Sequence, residues 1–571
     1  MKSFLIDVGS TFIKYAVYNL SNNMSEFEDA IPFPPACYCE ESAYHVDIED
    51  VDRVIDTVFP LAKVYGCKSI YISVQMHGYV LKTKEGFGRY VSWRDWTADV
   101  DDTRFLELDF DDLGTSRRKN SPLLKLAYKD VEGEFFTLGS YIAYKLVGVN
   151  ATHVTDACAS GFFFADTGKS NTYAPKLVKP SVYTRVCTVG KYGDISVFTP
   201  MGDHQISFWG SNAIDEKYLI NIGTAIQISC ISEDSKECGR YEKRPYFDKK
   251  RLCTLSLSVG GGDVNEEQCK EALWKEIDGA LLCLPQKGGA ILGGGGADFV
   301  FDYLSNRLKS RGITCEKSDV NIGMEGLKKM AKQTAVKKGT MLSEICFPNF
   351  MVIAKNCGLD YVILDNEHGY FDYADIAKIT MTAKLVGIDL IVRIGDSGRA
   401  HITKLADMGV SGFLLPMTNG PEDIARVVEC AKYAPEGKRG LSTTRAHTLY
   451  NPPPLKEYLP SANQKMKIYA QIETVKGVDN VADILAVEGV DGIFIGPNDL
   501  MSDLGCGYDK TALYPIIEKI GSLSKVANKP FGIITGDKEL IGKARDNGVT
   551  FLSIGSELNM LINGCKKIME E

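Results

Sequence analysis

The 571-residue sequence holds no apolar run of the roughly 18 residues that a membrane-spanning helix needs. It also lacks a long basic run. Asp plus Glu number 74 against 65 Lys plus Arg, for a net charge of −9. A chain of that balance is a poor partner for a nucleic-acid backbone, so neither membrane nor nucleic acid is expected as a partner. No CxxC pair occurs among the sixteen cysteines, the nearest two being Cys37 and Cys39. A disulfide framework would be tighter, so the expectation is reduced thiols in a cytoplasm. The first residues place Lys2 and Asp7 where a signal peptide would carry its apolar core. Tryptophan is scarce: Trp93, Trp96, Trp209 and Trp274 all lie in the first part of the chain.

What is present is the balance of a globular protein, 44% hydrophobic and 24% charged, which excludes a disordered chain or a coiled-coil rod. An internal echo appears first. Phe4-Leu5-Ile6-Asp7-Val8-Gly9-Ser10-Thr11 returns as Tyr218-Leu219-Ile220-Asn221-Ile222-Gly223-Thr224. Each copy is an apolar strand, an acid or amide, a glycine turn with hydroxyls, and a second strand (Phe12 to Tyr18, Ala225 to Ile231). Two hairpins of one design predict two related lobes.

The second part reads differently. Short apolar strands are expected at Thr340–Ile345, Tyr361–Asp365, Leu390–Ile394, Gly412–Met417, Ile468–Glu473, Gly492–Gly496, Phe531–Thr535 and Phe551–Ile554, with helical spacing between them, as in Tyr373–Leu385 and Pro421–Tyr433. Eight strands alternating with helices predict a (β/α)8 TIM barrel. The boundary is placed at 333/334, with lobes of about 1–212 and 213–333 before it. Met324–Ala331 reads as a helix that either closes the first unit or opens the second.

The hairpins suit a nucleotide clamp. Gly9 and Gly223 let backbone N–H groups approach phosphate oxygens, and Ser10, Thr11 and Thr224 add donors. Asp7 is placed to hold Mg²⁺ through water, and Lys14 lies just past the turn. The run Gly293–Gly296, with Gly294 and Gly295 at its centre, would let backbone pass close to a flat base.

This part resembles the FGGY family of carbohydrate kinases, which have a two-lobed actin/hexokinase/Hsp70-like (ribonuclease H-like) fold. The resemblance is carried by the first hairpin and Gln75-Met76-His77-Gly78, then Ser92-Trp93-Arg94-Asp95 and Thr155–Gly161. It continues through Gly202-Asp203-His204-Gln205, Asn221–Thr224, Arg244-Pro245-Tyr246-Phe247 and Gly293–Gly296. It implies ATP with Mg²⁺, Asp203 as general base towards a sugar hydroxyl, and Gln75, His77 and Asp95 as contacts to the sugar, a ketose or relative. The second lobe is shorter than is usual in that family. A degenerate module that binds sugar or nucleotide without turnover, regulating an aldolase, is the alternative reading.

In a barrel the chemistry lies at the C-terminal ends of strands. There stand Asp365 with His368, then Arg393, then Gln471 and Glu473, then Asp499. Glu473 and Asp499 are hard oxygen ligands suited to Mg²⁺ or Mn²⁺, which would chelate a 2-oxo acid and stabilise an enolate. Arg393 adds charge at the enolate oxygen, and His368, oriented by Asp365, would move a proton. No strand carries a central lysine, which argues against Schiff-base chemistry.

The segment from about 335 to 571 resembles the HpcH/HpaI family of class II pyruvate aldolases. The matching pieces are Gly339–Ser343, Asp365-x-Glu367-His368-Gly369, Val392-Arg393, Lys404-x-x-Asp407-x-Gly409, Gln471–Thr474 and Gly496-Pro497-x-Asp499-Leu500. The resemblance implies Glu473 and Asp499 as metal ligands and Gln471 and Arg393 at the pyruvyl portion. Asp365 with His368 would be the acid/base pair, with Asp407 supporting the site. Asn366 and the loop Gly440–Tyr450 would set aldehyde specificity, and the chain would form homo-oligomers through the barrel. The expected protein is a bifunctional enzyme of sugar and 2-oxo-acid metabolism.

Overall fold

A computed structural model describes the chain except residues 41, 106, 214–216, 224, 233–240, 248–249, 261–266, 295 and 571; 225, 232, 258–260 and 267–268 are described by backbone alone. Two compact units result, Met1–Thr334 and Ala335–Glu571.

The first unit is built on two sheets of one design. In the first, strands Met24–Pro32, Phe12–Asn19, Lys2–Val8, Ser69–Val74 and Ile195–Phe198 lie side by side in that order. The first two pairings are antiparallel and the next two parallel. In the second sheet Arg251–Gly260, Ala225–Ser232, Lys217–Ile222, Gly289–Gly293 and Thr314–Lys317 repeat the order. The sequence of antiparallel and parallel pairings is the same. The echo at Asp7 and Asn221 is therefore a duplication of a whole sheet, not of a hairpin alone.

Alternation along Phe4–Val8 explains how the first sheet is covered on both faces. Phe4, Ile6 and Val8 join one core with Val51, Ile55 and Phe59. Leu5 points the other way, to Tyr71, Met201, Ile206 and Leu327. The last of these comes from the Ile322–Thr334 helix, so the Met324–Ala331 stretch closes the first unit by folding back onto its opening sheet.

That helix crosses the Asp203–Gly210 helix at very short range. A Cβ on Gly326 would lie 2.0 Å from the Ile206 carbonyl oxygen, and one on Gly210 would lie 1.8 Å from that of Ile322. Only glycine allows the two backbones this close.

The second unit is a closed barrel of eight parallel strands: Lys337–Leu342, Tyr361–Asn366, Asp389–Ile394, Gly412–Leu415, Lys467–Ile472, Gly492–Ile495, Phe531–Ile534 and Phe551–Ser556. Inward positions near the strand starts are filled by Tyr361, Ile363, Ile391, Tyr469, Phe494 and Phe551. Tyr469 and Phe494 meet edge to face, with ring centres 5.4 Å apart. Because strand side chains alternate, Asp365, Arg393 and Gln471 continue those same inward rows towards the other end.

The first strand lies slightly earlier than its apolar pattern predicts. The N–H groups of Ser343, Glu344 and Ile345 are held by one oxygen of Glu557 and are not free to extend a ladder. Among the described residues no helix is long and apolar enough to cross a membrane, and the cysteines are free thiols.

Candidate functional site

In the first unit the chemistry-bearing residues gather where parallel strands end. Asp7 lies opposite Ser73, and Ser73 lies opposite Met201, in one row across three strands. The Ser73 hydroxyl donates to Asp7. Asp7 also lies opposite Lys14 on the hairpin's second strand. Burial raises the Asp7 carboxyl, with the Ser73 hydrogen bond and Lys14 opposing.

Two residues past Met201, Asp203 begins its helix. Burial, then repulsion from Asp7, push its carboxyl up to about 7, against the N–H of His204 and the charge of Arg244. A base with that value is matched to neutral solution. The Gly9 N–H donates to the Phe12 carbonyl at 3.1 Å and closes the first turn.

In the second lobe Gly296 donates to the Ile222 carbonyl at 2.9 Å, which brings the glycine run onto the second hairpin. Gly294 sits there at φ +90°, and a Cβ would press on Ile222 and Asn221. Gly223 is at the hairpin turn; Thr224 and Gly295 lie outside the described residues.

Gln75 is buried beside this row, and His77 is half-buried with both ring nitrogens covered. Neither end of the Gln75 amide, and neither ring nitrogen of His77, makes a well-formed hydrogen bond among the described residues. Burial and the charge of Arg244 lower the His77 pKa to about 3, so its ring is neutral.

Asp95, expected as a sugar contact, is engaged by protein donors on both carboxylate oxygens. Its Oδ1 takes Lys125 Nζ at 2.6 Å and the Thr97 hydroxyl at 2.5 Å. Its Oδ2 takes the Tyr44 N–H and lies 3.1 Å from His45 Nε2. With both oxygens engaged by protein donors, this buried carboxylate is a structural hub. Its neighbour Arg94 reaches instead towards the first hairpin, with Nη2 3.5 Å from the Ser10 hydroxyl.

Sequence reading missed Glu242, which is buried and binds both Arg118, at 2.8 Å, and Arg244, at 2.6 Å. Arg244 is two residues along the same strand, but Arg118 is remote in sequence, so no local motif announces the cluster.

In the barrel, Asp365 and Arg393 are register partners on adjacent strands. Arg393 donates Nε to Oδ1 at 3.0 Å and Nη2 to Oδ2 at 2.6 Å, a bidentate pair. Burial alone would raise the Asp365 carboxyl; Arg393 and the N–H groups of His368 and Glu367 hold it below the ordinary range. The third nitrogen of Arg393 lies 3.4 Å from Glu367. That residue sits inside the Asp-x-Glu-His-Gly motif but had been given no role.

The expected pairing of Asp365 with the His368 imidazole is not made. Asp365 spends its oxygens on Arg393 and on backbone, while the His368 side chain is 73% exposed and lies 3.8 Å from Glu367.

Glu473 is buried, with Oε1 taking the Met417 N–H at 2.6 Å and Oε2 the Gln471 amide. Burial, Asp499 and Glu367 all raise its pKa, opposed by the Met417 N–H and Arg393. Asp499 lies exposed in the first turn of the following helix.

This donor set fits a hard divalent cation. Two carboxylates repel one another, and the buried Gln471 carbonyl oxygen has no partner among the described residues. Gly496 leaves open a space where a Cβ would lie 2.6 Å from Glu473. Among the described residues no cluster of three or more His, Cys, Asp or Glu is arranged around a single point.

Two expected site elements meet on a barrel helix. Asp407 is at the C-terminal end of the helix after the third strand, bonded to Arg439 at 2.5 Å. The loop Gly440–Tyr450 follows the helix after the fourth strand and packs on that same end through His447. A segment reached by running down a helix from the mouth lies at the barrel's opposite, N-terminal face. Asp407 and His447 meet at the far end of the Arg399–Met408 helix, while Gly440 lies against Arg399 at its start. Asn366, by contrast, is at the mouth, its amide 3.4 Å from His401.

Comparison with known proteins agrees with this division. The family model for HpcH/HpaI aldolase/citrate lyase matches residues 345–564. A 5-keto-4-deoxy-D-glucarate aldolase of Citrobacter koseri is 33% identical over 217 residues, 37% of this chain and 83% of that protein. The first unit is similar in fold to a gluconate kinase and a ligand-bound xylulose kinase, both from Lactobacillus acidophilus. Each is 18% identical and covers 58% of this chain and 89% of the other, with TM-scores of 0.51 and 0.50. The first unit therefore has a sugar-kinase-like fold, and through its barrel the chain belongs to the HpcH/HpaI aldolase/citrate lyase family.

Proposed function

We propose that the chain is a bifunctional carbohydrate enzyme: an ATP-dependent sugar kinase followed by a metal-dependent aldolase that cleaves or forms a 2-oxo acid through pyruvate and an aldehyde. The observation that carries the aldolase is the convergence of the Asp365–Arg393 pair with Gln471 and Glu473 at the strand ends of one barrel. The family relative named for 5-keto-4-deoxy-D-glucarate supports a sugar-derived 2-oxo acid as substrate.

Glu473 and Asp499 hold the cation, Mg²⁺ or Mn²⁺, which when bound supplies Lewis-acid polarisation of the 2-oxo group. Gln471 and Arg393 orient the pyruvyl end. Cleavage breaks the bond between C3 and C4. The C4 hydroxyl gives up its proton as the aldehyde forms, and charge gathers on the enolate oxygen, which Arg393 offsets. His368, exposed at the mouth and beside Glu367, moves the protons between solvent, the C4 oxygen and C3.

In the first unit ATP with Mg²⁺ is held by Asp7, the Gly9-Ser10-Thr11 turn, Lys14, Gly223 with Thr224, and the Gly294–Gly295 run. Asp203 takes the proton of a sugar hydroxyl as its oxygen bonds to the γ-phosphorus, and the bond from that phosphorus to ADP breaks. Gln75, buried with neither end of its amide partnered among the described residues, and the neutral His77 supply sugar contacts. The exposed Met560, Leu561, Ile562, Ile568 and Met569 on the last helix support a homo-oligomer through the barrel. Free thiols support a cytoplasmic place.

The test is ADP release with ATP, Mg²⁺ and a sugar panel, and pyruvate release from 2-oxo acids, by the same preparation. Sugar-dependent ADP release that is lost in Asp203→Asn supports the kinase. Calorimetric binding of sugar or nucleotide with no ADP would favour a regulatory module instead.

A further inference from the structure

Beside Asp203 the first unit gathers two guanidinium groups, a buried Arg244 and a half-buried Arg118, on the buried carboxylate of Glu242. Arg244, 3% exposed, gives Nε and Nη2 to Glu242 at 2.7 and 2.6 Å. Its remaining nitrogen, Nη1, is buried with no hydrogen-bond partner among the described residues. Arg118 puts Nε on the same Glu242 at 2.8 Å, and the Ser116 hydroxyl donates there too. Two guanidinium groups thus share one carboxylate, and the cluster carries one net positive charge. The histidines nearby do not change that sum, since burial and Arg244 keep His77 and His204 neutral.

Leaving a buried charged donor unpaired is costly, and a site built around one rejects a ligand that lacks the matching acceptor. The placement ties this donor to the reacting end. Gln205, two residues after Asp203, donates to the carbonyl of Pro245, the residue after Arg244, at 3.2 Å. The strand carrying Arg244 is therefore pinned to the helix carrying Asp203. The charge of Arg244 acts on both Asp203 and His77. His77, on which Arg244 acts, follows Gln75 by two residues, and the buried Gln75 amide has no partner among the described residues. A neutral ketose would satisfy those two and leave the guanidinium bare. A monoanion with several hydroxyls would satisfy all three.

We propose that the phosphoryl acceptor of the first unit is a sugar acid, a polyhydroxy carboxylate whose carboxylate pairs with Arg244 while one of its hydroxyls faces Asp203. This rests on the reading of the first unit as a kinase and narrows its substrate class. Both units would then handle sugar-derived carboxylates.

The experiment compares potassium D-gluconate and 2-oxo-3-deoxy-D-gluconate with D-xylulose and D-fructose, using the full chain with ATP and Mg²⁺. ADP release and calorimetric binding are read in parallel. The expected result is turnover of an acid with KM at least about tenfold below that of either ketose. Arg244→Gln raises that KM by about tenfold or more, and Arg244→Lys, which keeps the charge, recovers part of it. The KM for ATP stays in place.

A ketose used better than every acid overturns the proposal and leaves the kinase standing. Binding of an acid with no ADP released overturns the kinase reading and the acceptor role with it, and leaves Arg244 only as part of a sugar-acid binding site. Absence of acid binding altogether overturns the proposal, as does an equal loss for acids and ketoses in Arg244→Gln. Tryptophan fluorescence melting checks that each variant is folded. Should Arg244→Gln unfold, the wild-type preference and Arg244→Lys decide.

Discussion

Arg393 grips Asp365 through two parallel hydrogen bonds, of 3.0 and 2.6 Å, across neighbouring barrel strands. The pair fixes a cationic group at the mouth and leaves the His368 imidazole free of Asp365. Asp365→Asn is therefore expected to lower kcat for pyruvate release by roughly ten- to a hundredfold, as loss of an orienting partner does. His368→Ala should act independently of it. A double-mutant cycle reads this directly: additive free energies agree with the geometry, whereas strong coupling would mean that Asp365 orients His368 after all.

Asp95 links Lys125, Thr97, Tyr44 and His45 through both of its carboxylate oxygens. Removing it strands a buried lysine. Asp95→Ala is predicted to destabilise the first unit by about 3–5 kcal/mol. The tryptophans at 93, 96, 209 and 274 all belong to that unit, so their fluorescence reports its unfolding. A variant with normal stability and only a raised sugar KM would make Asp95 a sugar contact.

The kinase rate should carry the titration of Asp203. Its carboxyl is raised to about 7 by burial and by Asp7, and a general base works only when deprotonated. Activity should thus rise with pH through about 7 and fall below it in proportion to the deprotonated fraction. A kcat/KM profile flat from pH 5 to 8 would contradict that role.

Glycine at 326 is demanded by the crossing of two backbones. Gly326→Val would force its side chain against the Ile206 carbonyl and displace the helix that begins with Asp203. A loss of about 1–3 kcal/mol in the first unit is expected from overpacking, together with a fall in kinase kcat. Unchanged melting by fluorescence would show that the helices can part at no cost.

Much of this architecture is legible in the residues. The barrel strands show as apolar runs, because a strand covered by helices is apolar on both faces. The echo between Asp7 and Asn221 marks a duplicated sheet because both lobes solve the same hairpin problem. What stays hidden depends on partners far along the chain. Glu557 claims the N–H groups of Ser343–Ile345 and shortens the first strand at that end. Lys125 takes up Asp95, and Arg118 meets Arg244 over Glu242. Gly440–Tyr450 carries arginine and histidine, and its His447 is taken up by the Asp407 carbonyl forty residues earlier. Composition and local spacing carry no trace of such long-range choices.

The central claim is that two chemistries share one chain and use separate residues. The most direct measurement follows ADP and pyruvate release together in wild type, Asp203→Asn and Glu473→Gln, with the metal-stripped protein beside them. The account predicts that Asp203→Asn loses ADP release and keeps pyruvate release. Glu473→Gln should do the reverse, and metal stripping should silence both until Mg²⁺ or Mn²⁺ is returned. Pyruvate release that survives in both Glu473→Gln and the metal-stripped protein would contradict it, as would wild-type protein that binds sugar but never forms ADP.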